Sequence, residues 1–233
     1  MKNTIGLLFL CCVMFSCTSS NSEHNGEVKN ENTEWSRTWL VNTNDTILPK
    51  VLIVGDSHVE RYYEVIAKKI GDKVSCSKFT TSKSLGDPVF IKQLESVLTI
   101  NNFDIITFNN GLHGGDYSIE EYGTHVSIVN ELLKQNAKDA VVWVNITAIR
   151  EKNNLSQFAK RNDQIIERNK FLFEFTQKNN VPLIDFYSET ADELKYYSND
   201  GIHFNDTGVA KEADLITEYI HNILISQKFS EAK

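Results

Sequence analysis

The sequence predicts a three-layer α/β/α sandwich: a five-stranded parallel sheet with helices on both faces. Three observations lead there. Short apolar, β-branched runs recur from residue 50 onward, longer stretches with helical apolar spacing lie between them, and the two kinds alternate without a break. Parallel neighbours cannot be joined by a tight hairpin, so each pair needs a crossover, and a packed helix supplies it with right-handed sense.

The first strand is Val51–Val54, stopped by Gly55-Asp56-Ser57-His58, and a helix is expected over Val59–Ile70. A second strand, Val74–Phe79, precedes a helix over Pro88–Thr99, where Pro88 suits the first turn because its missing N–H would lack an intrahelical partner there anyway. Ile105–Phe108 then leads to a helix over Ile119–Gln135, and Ala140–Val144 to one over Leu155–Lys178. The last strand is Val181–Ile184, and the last helix runs over Asn205–Gln227 with Asn205 or Asp206 as its cap. With the common strand order 2-1-3-4-5, functional groups should gather in loops at the carboxyl ends of the strands. Those loops hold Gly55–His58, Ser82–Asp87, Asn109–His113, Asn145–Thr147, and Asp185–Tyr187 leading to Asp200–His203.

The chain has 233 residues, 41% of them hydrophobic, which is enough for one domain with a sizeable core. A formal net charge of −7 without any Lys/Arg cluster argues against a nucleic-acid partner, because tracking phosphates requires a basic footprint.

The N-terminus carries Lys2 and then an apolar run from Ile5 to Phe15, too short to span a bilayer and of the length expected of a secretory signal. The Ser16-Cys17 junction that follows resembles the lipobox of bacterial lipoproteins. That resemblance implies cleavage before Cys17, a lipid on its sulfur, and an exported protein held at a membrane, facing the periplasm or the cell surface. The expected plan is a signal over residues 1–16, a polar tether over 17–49 and a globular domain over 50–229. Cys11 and Cys12 leave with the signal, so Cys76 remains as a small buried hydrophobe.

Ser57 lies where a strand becomes a helix, so its N–H is among the unpaired donors at the helix start and the dipole there favours a developing anion. A serine hydroxyl needs a base to become a nucleophile. Asp200-Gly201-Ile202-His203 supplies one: the short spacing lets the carboxylate reach one ring nitrogen while the other faces Ser57. Glycine and asparagine suit an oxyanion site, through a backbone N–H that can approach closely and an uncharged amide donor. Gly86 and Asn109 stand at the ends of the second and third strand units, which flank the first.

The set Gly55-Asp56-Ser57, Gly86, Asn109 and Asp200-Gly201-Ile202-His203 resembles the SGNH/GDSL hydrolases, across nearly the whole domain. The resemblance implies their flavodoxin-like fold, with Ser57 as nucleophile, His203 as base, Asp200 as its partner, and an oxyanion hole from the Ser57 and Gly86 N–H groups and the Asn109 side chain. The third block departs from the usual Gly-x-Asn-Asp: it reads Phe108-Asn109-Asn110-Gly111-Leu112-His113, which leaves Asn110 as the alternate donor and resembles branches that act on acetylated carbohydrate. His58, His113 and Asn145 are candidate pocket residues, and the histidine spacings match no familiar metal site. The expected function is a serine esterase that removes acetyl groups from carbohydrate, without metal or cofactor. Its rivals are a lipid or short-chain acyl esterase and a glycan-binding module that does no chemistry.

Overall fold

A computed structural model describes residues 30–231, with side chains to residue 226; the expected signal and Cys17 lie outside the described residues. The elements in chain order are β1 (Ser36–Trp39), β2 (Lys50–Gly55), α1 (Ser57–Ile70), β3 (Ser75–Thr81), α2 (Pro88–Leu98), β4 (Phe103–Asn109) and α3 (Ile119–Asn136). They continue with β5 (Ala137–Val144), β6 (Arg150–Glu151), β7 (Asn154–Phe158), α4 (Asn162–Asn179), β8 (Leu183–Ile184), α5 (Phe186–Thr190) and α6 (Asp206–Glu231).

The main sheet runs β1-β3-β2-β4-β5-β8. Five strands are parallel and stand in the expected order, with β2 at the centre between β3 and β4. Alternation along β2 explains the three layers, because neighbouring side chains of a strand point to opposite faces. Leu52 and Val54 join a core with Phe90 of α2, Val126 of α3 and Leu172 of α4. Val51 and Ile53 join a second core with Tyr62 and Ile66 of α1 and Ile216 and Ile220 of α6. Cys76 is buried in that second core, as expected of a small hydrophobe.

Two features correct the expected plan. Residues 36–39 are not tether: β1 pairs antiparallel with β3 and closes that edge of the sheet. Its four residues are all exposed and carry no alternation, so no sequence pattern announced it. The pairing is needed because β3 is buried along its whole length despite the polar Ser75, Ser77, Lys78, Thr80 and Thr81. Buried polar groups require partners, and β1 and its flanks provide several. The Ser77 hydroxyl accepts from the Val41 N–H, and the Thr81 hydroxyl donates to the Trp35 carbonyl.

The other correction concerns the helix expected over Leu155–Lys178. Its first part is instead the β6–β7 hairpin, turned at Asn153 with φ 62°, and α4 begins at Asn162. Buried Arg150 explains the difference. Its guanidinium donates to the Leu155 carbonyl at 2.8 Å and stands 4.2 Å from the centre of the Phe158 ring, which folds the segment back on itself.

Candidate functional site

The turn between β2 and α1 is tight for a steric reason. Gly55 lies beside Asn109 of β4, and a β-carbon there would overlap the Asn109 carbonyl oxygen and the Val59 side chain. Asp56 then caps α1, its carboxylate accepting the His58 N–H at 3.0 Å, and its own N–H donates to the Asn109 carbonyl at 3.2 Å. Ser57 is the first residue of the helix and is half-buried.

The second part of the site is the turn before α6. Asn205 caps that helix by accepting the Thr207 and Gly208 N–H groups. Just before it, Asp200–His203 folds around Gly201, whose φ of 75° is a left-handed value that suits glycine. A β-carbon on Gly201 would also overlap the Arg150 carbonyl oxygen, and the Arg150 N–H donates to the Gly201 carbonyl at 2.7 Å. The hairpin thus props the turn.

These two turns bring Ser57, His203 and Asp200 together. Ser57 Oγ and His203 Nε2 are 2.9 Å apart, and His203 Nδ1 is 2.7 Å from Asp200 Oδ2. The other Asp200 oxygen accepts the Ile202 and His203 N–H groups, each at 2.9 Å. Burial works against charge on Asp200, but the hydrogen bonds from the His203 ring and from the Ile202 and His203 N–H groups outweigh it and hold the carboxyl down at about 2. An ionised Asp200 fixes the His203 tautomer with its proton on Nδ1, which leaves Nε2 free to accept the proton of Ser57. The arrangement can therefore activate a serine hydroxyl.

The expected oxyanion residues stand differently. Asn109 is buried, and its amide donates to the carbonyls of Val144 and Asn145 at 3.3 and 3.0 Å. Both amide hydrogens are engaged, so Asn109 ties β4 to the end of β5 and does not present a donor. That corrects the expectation for this residue. Asn110 uses one amide hydrogen on the Lys83 carbonyl at 2.9 Å and retains a second. The same bond joins the β3–α2 loop, which holds Gly86, to the β4–α3 loop. Gly86 packs so closely on the His125 ring that a β-carbon would overlap it.

Of the three candidate pocket residues, His58 and Asn145 are framework, whereas His113 is bonded through Nδ1 and keeps a buried Nε2 without a partner among the described residues. His58 is buried and bonded through Nδ1 to Glu212 at 2.7 Å. The Asn145 amide donates to Asp185 at 2.6 Å while its oxygen accepts the Tyr187 N–H at 3.0 Å, joining β5 to the segment after β8. His113 Nδ1 lies 3.0 Å from Glu31 Oε1, so the residues before β1 reach the β4–α3 loop. Two surface cavities lie elsewhere. One of about 420 Å³ is lined by residues including Arg37, Trp39 and Lys78, one of about 270 Å³ by residues including Asp185 and Tyr219, and neither is lined by Ser57, His203 or Asp200. The candidate site therefore rests on the hydrogen-bonded Ser57, His203 and Asp200 and not on a cavity.

Comparison with known proteins agrees with this geometry at the level of architecture. No protein-family model matches the sequence, and no curated protein does. Solved structures do. A GDSL-like lipase from Bacteroides thetaiotaomicron superposes with a TM-score of 0.61 at 16% identity, over 74% of this chain and 88% of its own. This chain has their fold. An acetyl xylan esterase superposes equally well, at 0.61 and 19% identity over 73% of this chain and 99% of its own. The lipase/acylhydrolase from Enterococcus faecalis gives 0.61 and 17%, over 74% and 95%.

Two buried charged residues near the site belong to no motif of the sequence, although both leave a trace in it. Glu212 interrupts the apolar face of α6 formed by Val209, Ala213, Ile216 and Ile220. Arg168 interrupts the buried face of α4 between Ile165 and Leu172. It donates to the carbonyls of Gly111 at 2.9 Å, His113 at 3.1 Å and Gly114, which shapes the β4–α3 loop. A charge at a position where helical periodicity demands an apolar residue is the signal that would have found them.

Proposed function

We propose that the protein is a serine ester hydrolase of the SGNH/GDSL kind, acting on acetyl esters of carbohydrate. The observation that carries this reading is the unbroken chain of hydrogen bonds from Ser57 through His203 to Asp200. Ser57 Oγ attacks the ester carbonyl carbon while His203 Nε2 takes its proton. The tetrahedral intermediate collapses as His203 returns that proton to the leaving alkoxide, leaving an acyl-Ser57 and a free alcohol. Water then attacks the acyl carbon with His203 again as base, and carboxylic acid and free Ser57 result. Asp200 stays ionised and steadies the imidazolium in both halves. The negative oxygen is held by the Ser57 N–H at the start of α1, with the Gly86 N–H and the remaining Asn110 amide hydrogen as the further donors.

Acetylated carbohydrate is favoured by the Asn109-x-Gly111-Leu112-His113 block and by the polar character of the hairpin and of the segment after α5. One of the structural neighbours is named an acetyl xylan esterase. The signal-like residues 1–16 and Cys17 support export and attachment to a membrane through lipid. Mass measurement of the mature N-terminus tests that anchor.

The activity test uses protein from residue 30, which retains β1, and 4-nitrophenyl acetate, butyrate and octanoate as substrates. Acetate should be cleaved fastest. Ser57→Ala should remove activity by several orders of magnitude, about a millionfold in the serine-protease precedent, without loss of fold. Folded wild-type protein that cleaves no chain length and resists a fluorophosphonate would refute the hydrolase reading and favour a glycan-binding module.

A further inference from the structure

Beneath the reactive histidine lies a second histidine–carboxylate pair that the mechanism above does not use. His58 follows the nucleophile, and its ring is 2% exposed. Glu212 comes from α6, is fully buried, and places Oε1 2.7 Å from His58 Nδ1. His58 Nε2 is 3.4 Å from the Thr147 hydroxyl. The His58 ring stacks on that of His203, with centroids 5.8 Å apart and 30° between the planes, and meets Phe204 edge-on at 5.4 Å. One ring therefore touches the neighbourhood of both reacting side chains and is anchored from behind by a carboxylate.

Burying a carboxylate in an apolar core is costly, and a helix face built from Val209, Ala213 and Ile216 has no structural need of one. An apolar residue would pack that face of α6 at less cost. Glu212 Oε2 finds no partner among the described residues, so the bond to His58 is the acid's one specific engagement there.

Resting on the hydrolase reading, we propose that Glu212 is a positioning residue for His203: it shares a proton with His58, fixes that ring as the surface on which the base is held, and lets the base sense the charge of the pair. Burial works against charge on His58, but Glu212 and then Asp56 outweigh it, with help from the Ile202 backbone, and raise it to about 8. Burial in turn raises Glu212 above the usual carboxylate range. Through neutral pH the pair thus holds one proton and no net charge; above about 8 it loses that proton and becomes anionic. The charged and titratable groups around it are Asp56 from the turn before α1, Arg61 and Tyr62 from α1, and Asp200 and His203 from the turn before α6. An anion beside His203 favours the imidazolium that forms during attack. The wild-type rate should therefore rise through an extra ionisation near pH 8.

The test measures kcat and KM against pH for 4-nitrophenyl acetate with wild type, Glu212→Gln, His58→Asn and the double variant, with melting curves to verify folding. Expected is a ten- to hundredfold loss of kcat in Glu212→Gln, the range for a slightly misplaced catalytic group, with KM within about twofold and the rise near pH 8 gone. If Glu212 acts through His58, the double variant is no worse than His58→Asn alone. A loss uniform in pH and additive between the two sites marks a merely structural role and overturns the proposal, as does Glu212→Gln with wild-type kcat. Should the variants not fold, imidazole NMR of the unaltered protein decides: His58 must titrate near pH 8 and the His203 signals must respond at the same pH, and silent His203 signals refute the idea. Wild-type protein without esterase activity sinks the hydrolase reading instead, and the NMR arm then judges the coupling on its own.

Discussion

Replacing Gly201 by alanine tests whether the turn that carries Asp200 and His203 is held as tightly as its geometry implies. Two costs add. Glycine there has φ 75°, where an L-residue pays about 1–2 kcal/mol. The new methyl group would also overlap the Arg150 carbonyl oxygen and stand 2.8 Å from its carbon. Arg150 cannot yield easily, because its guanidinium is bonded to the carbonyls of Leu155 and Ala191 and its N–H to the Gly201 carbonyl. Crowding of a packed interior costs about 1–3 kcal/mol. The sum is roughly 2–5 kcal/mol, a large share of the roughly 5–15 kcal/mol that holds a domain of this kind together. Urea unfolding followed by circular dichroism should show the midpoint falling accordingly. Ester hydrolysis should fall too, by about a hundredfold, if the backbone shift moves His203 by about an ångström from Ser57. A variant within about 0.5 kcal/mol of wild type, the range of an inert surface change, and equally active would refute the reasoning: the hairpin would not be holding the turn.

Two further expectations concern charge. Arg168→Met keeps the bulk of the side chain but leaves the carbonyls of Gly111, His113 and Gly114 without their donor; it should cost about 3 kcal/mol or more and speed amide exchange over residues 111–116, measured by mass spectrometry. Asp200 is held at about 2 in the fold against 3.8 for a free aspartate, so its contribution to stability is complete above about pH 4 and is lost as pH falls towards 2. Melting temperatures between pH 5 and 2 should therefore fall less steeply in Asp200→Asn than in wild type, and equal slopes would contradict the hydrogen-bonded carboxylate.

Residues 51–54, 105–108 and 140–144 announce themselves as strands because each buries side chains against helices, and burial on that scale demands apolar, β-branched residues in sequence. The Asp200–His203 contact is equally local, since three residues and a left-handed glycine suffice to bring carboxylate and ring together. Position in a strand-to-helix turn likewise marked Ser57.

What the sequence could not reveal depends on partners far away along the chain. The β1 strand exists because β3 has an edge to cover, and its own side chains are all exposed, so no hydrophobic pattern had to be written into it. The hairpin after β5 is decided by Arg150 reaching Leu155, Phe158 and the Gly201 turn at once, against a local pattern that reads as helix. The roles of Asn109 and Asn110 turn on which carbonyl lies opposite each amide, and that is set by the register of β4 against β5 and by the path of the β3–α2 loop. Sequence alone determined the layers and the order of the five parallel strands, and it singled out Ser57, Asp200 and His203, because burial and short-range geometry are encoded residue by residue. Only the tertiary structure decided which polar groups are spent on the framework and which remain to meet a substrate, because a hydrogen bond belongs to two segments and neither can specify it alone.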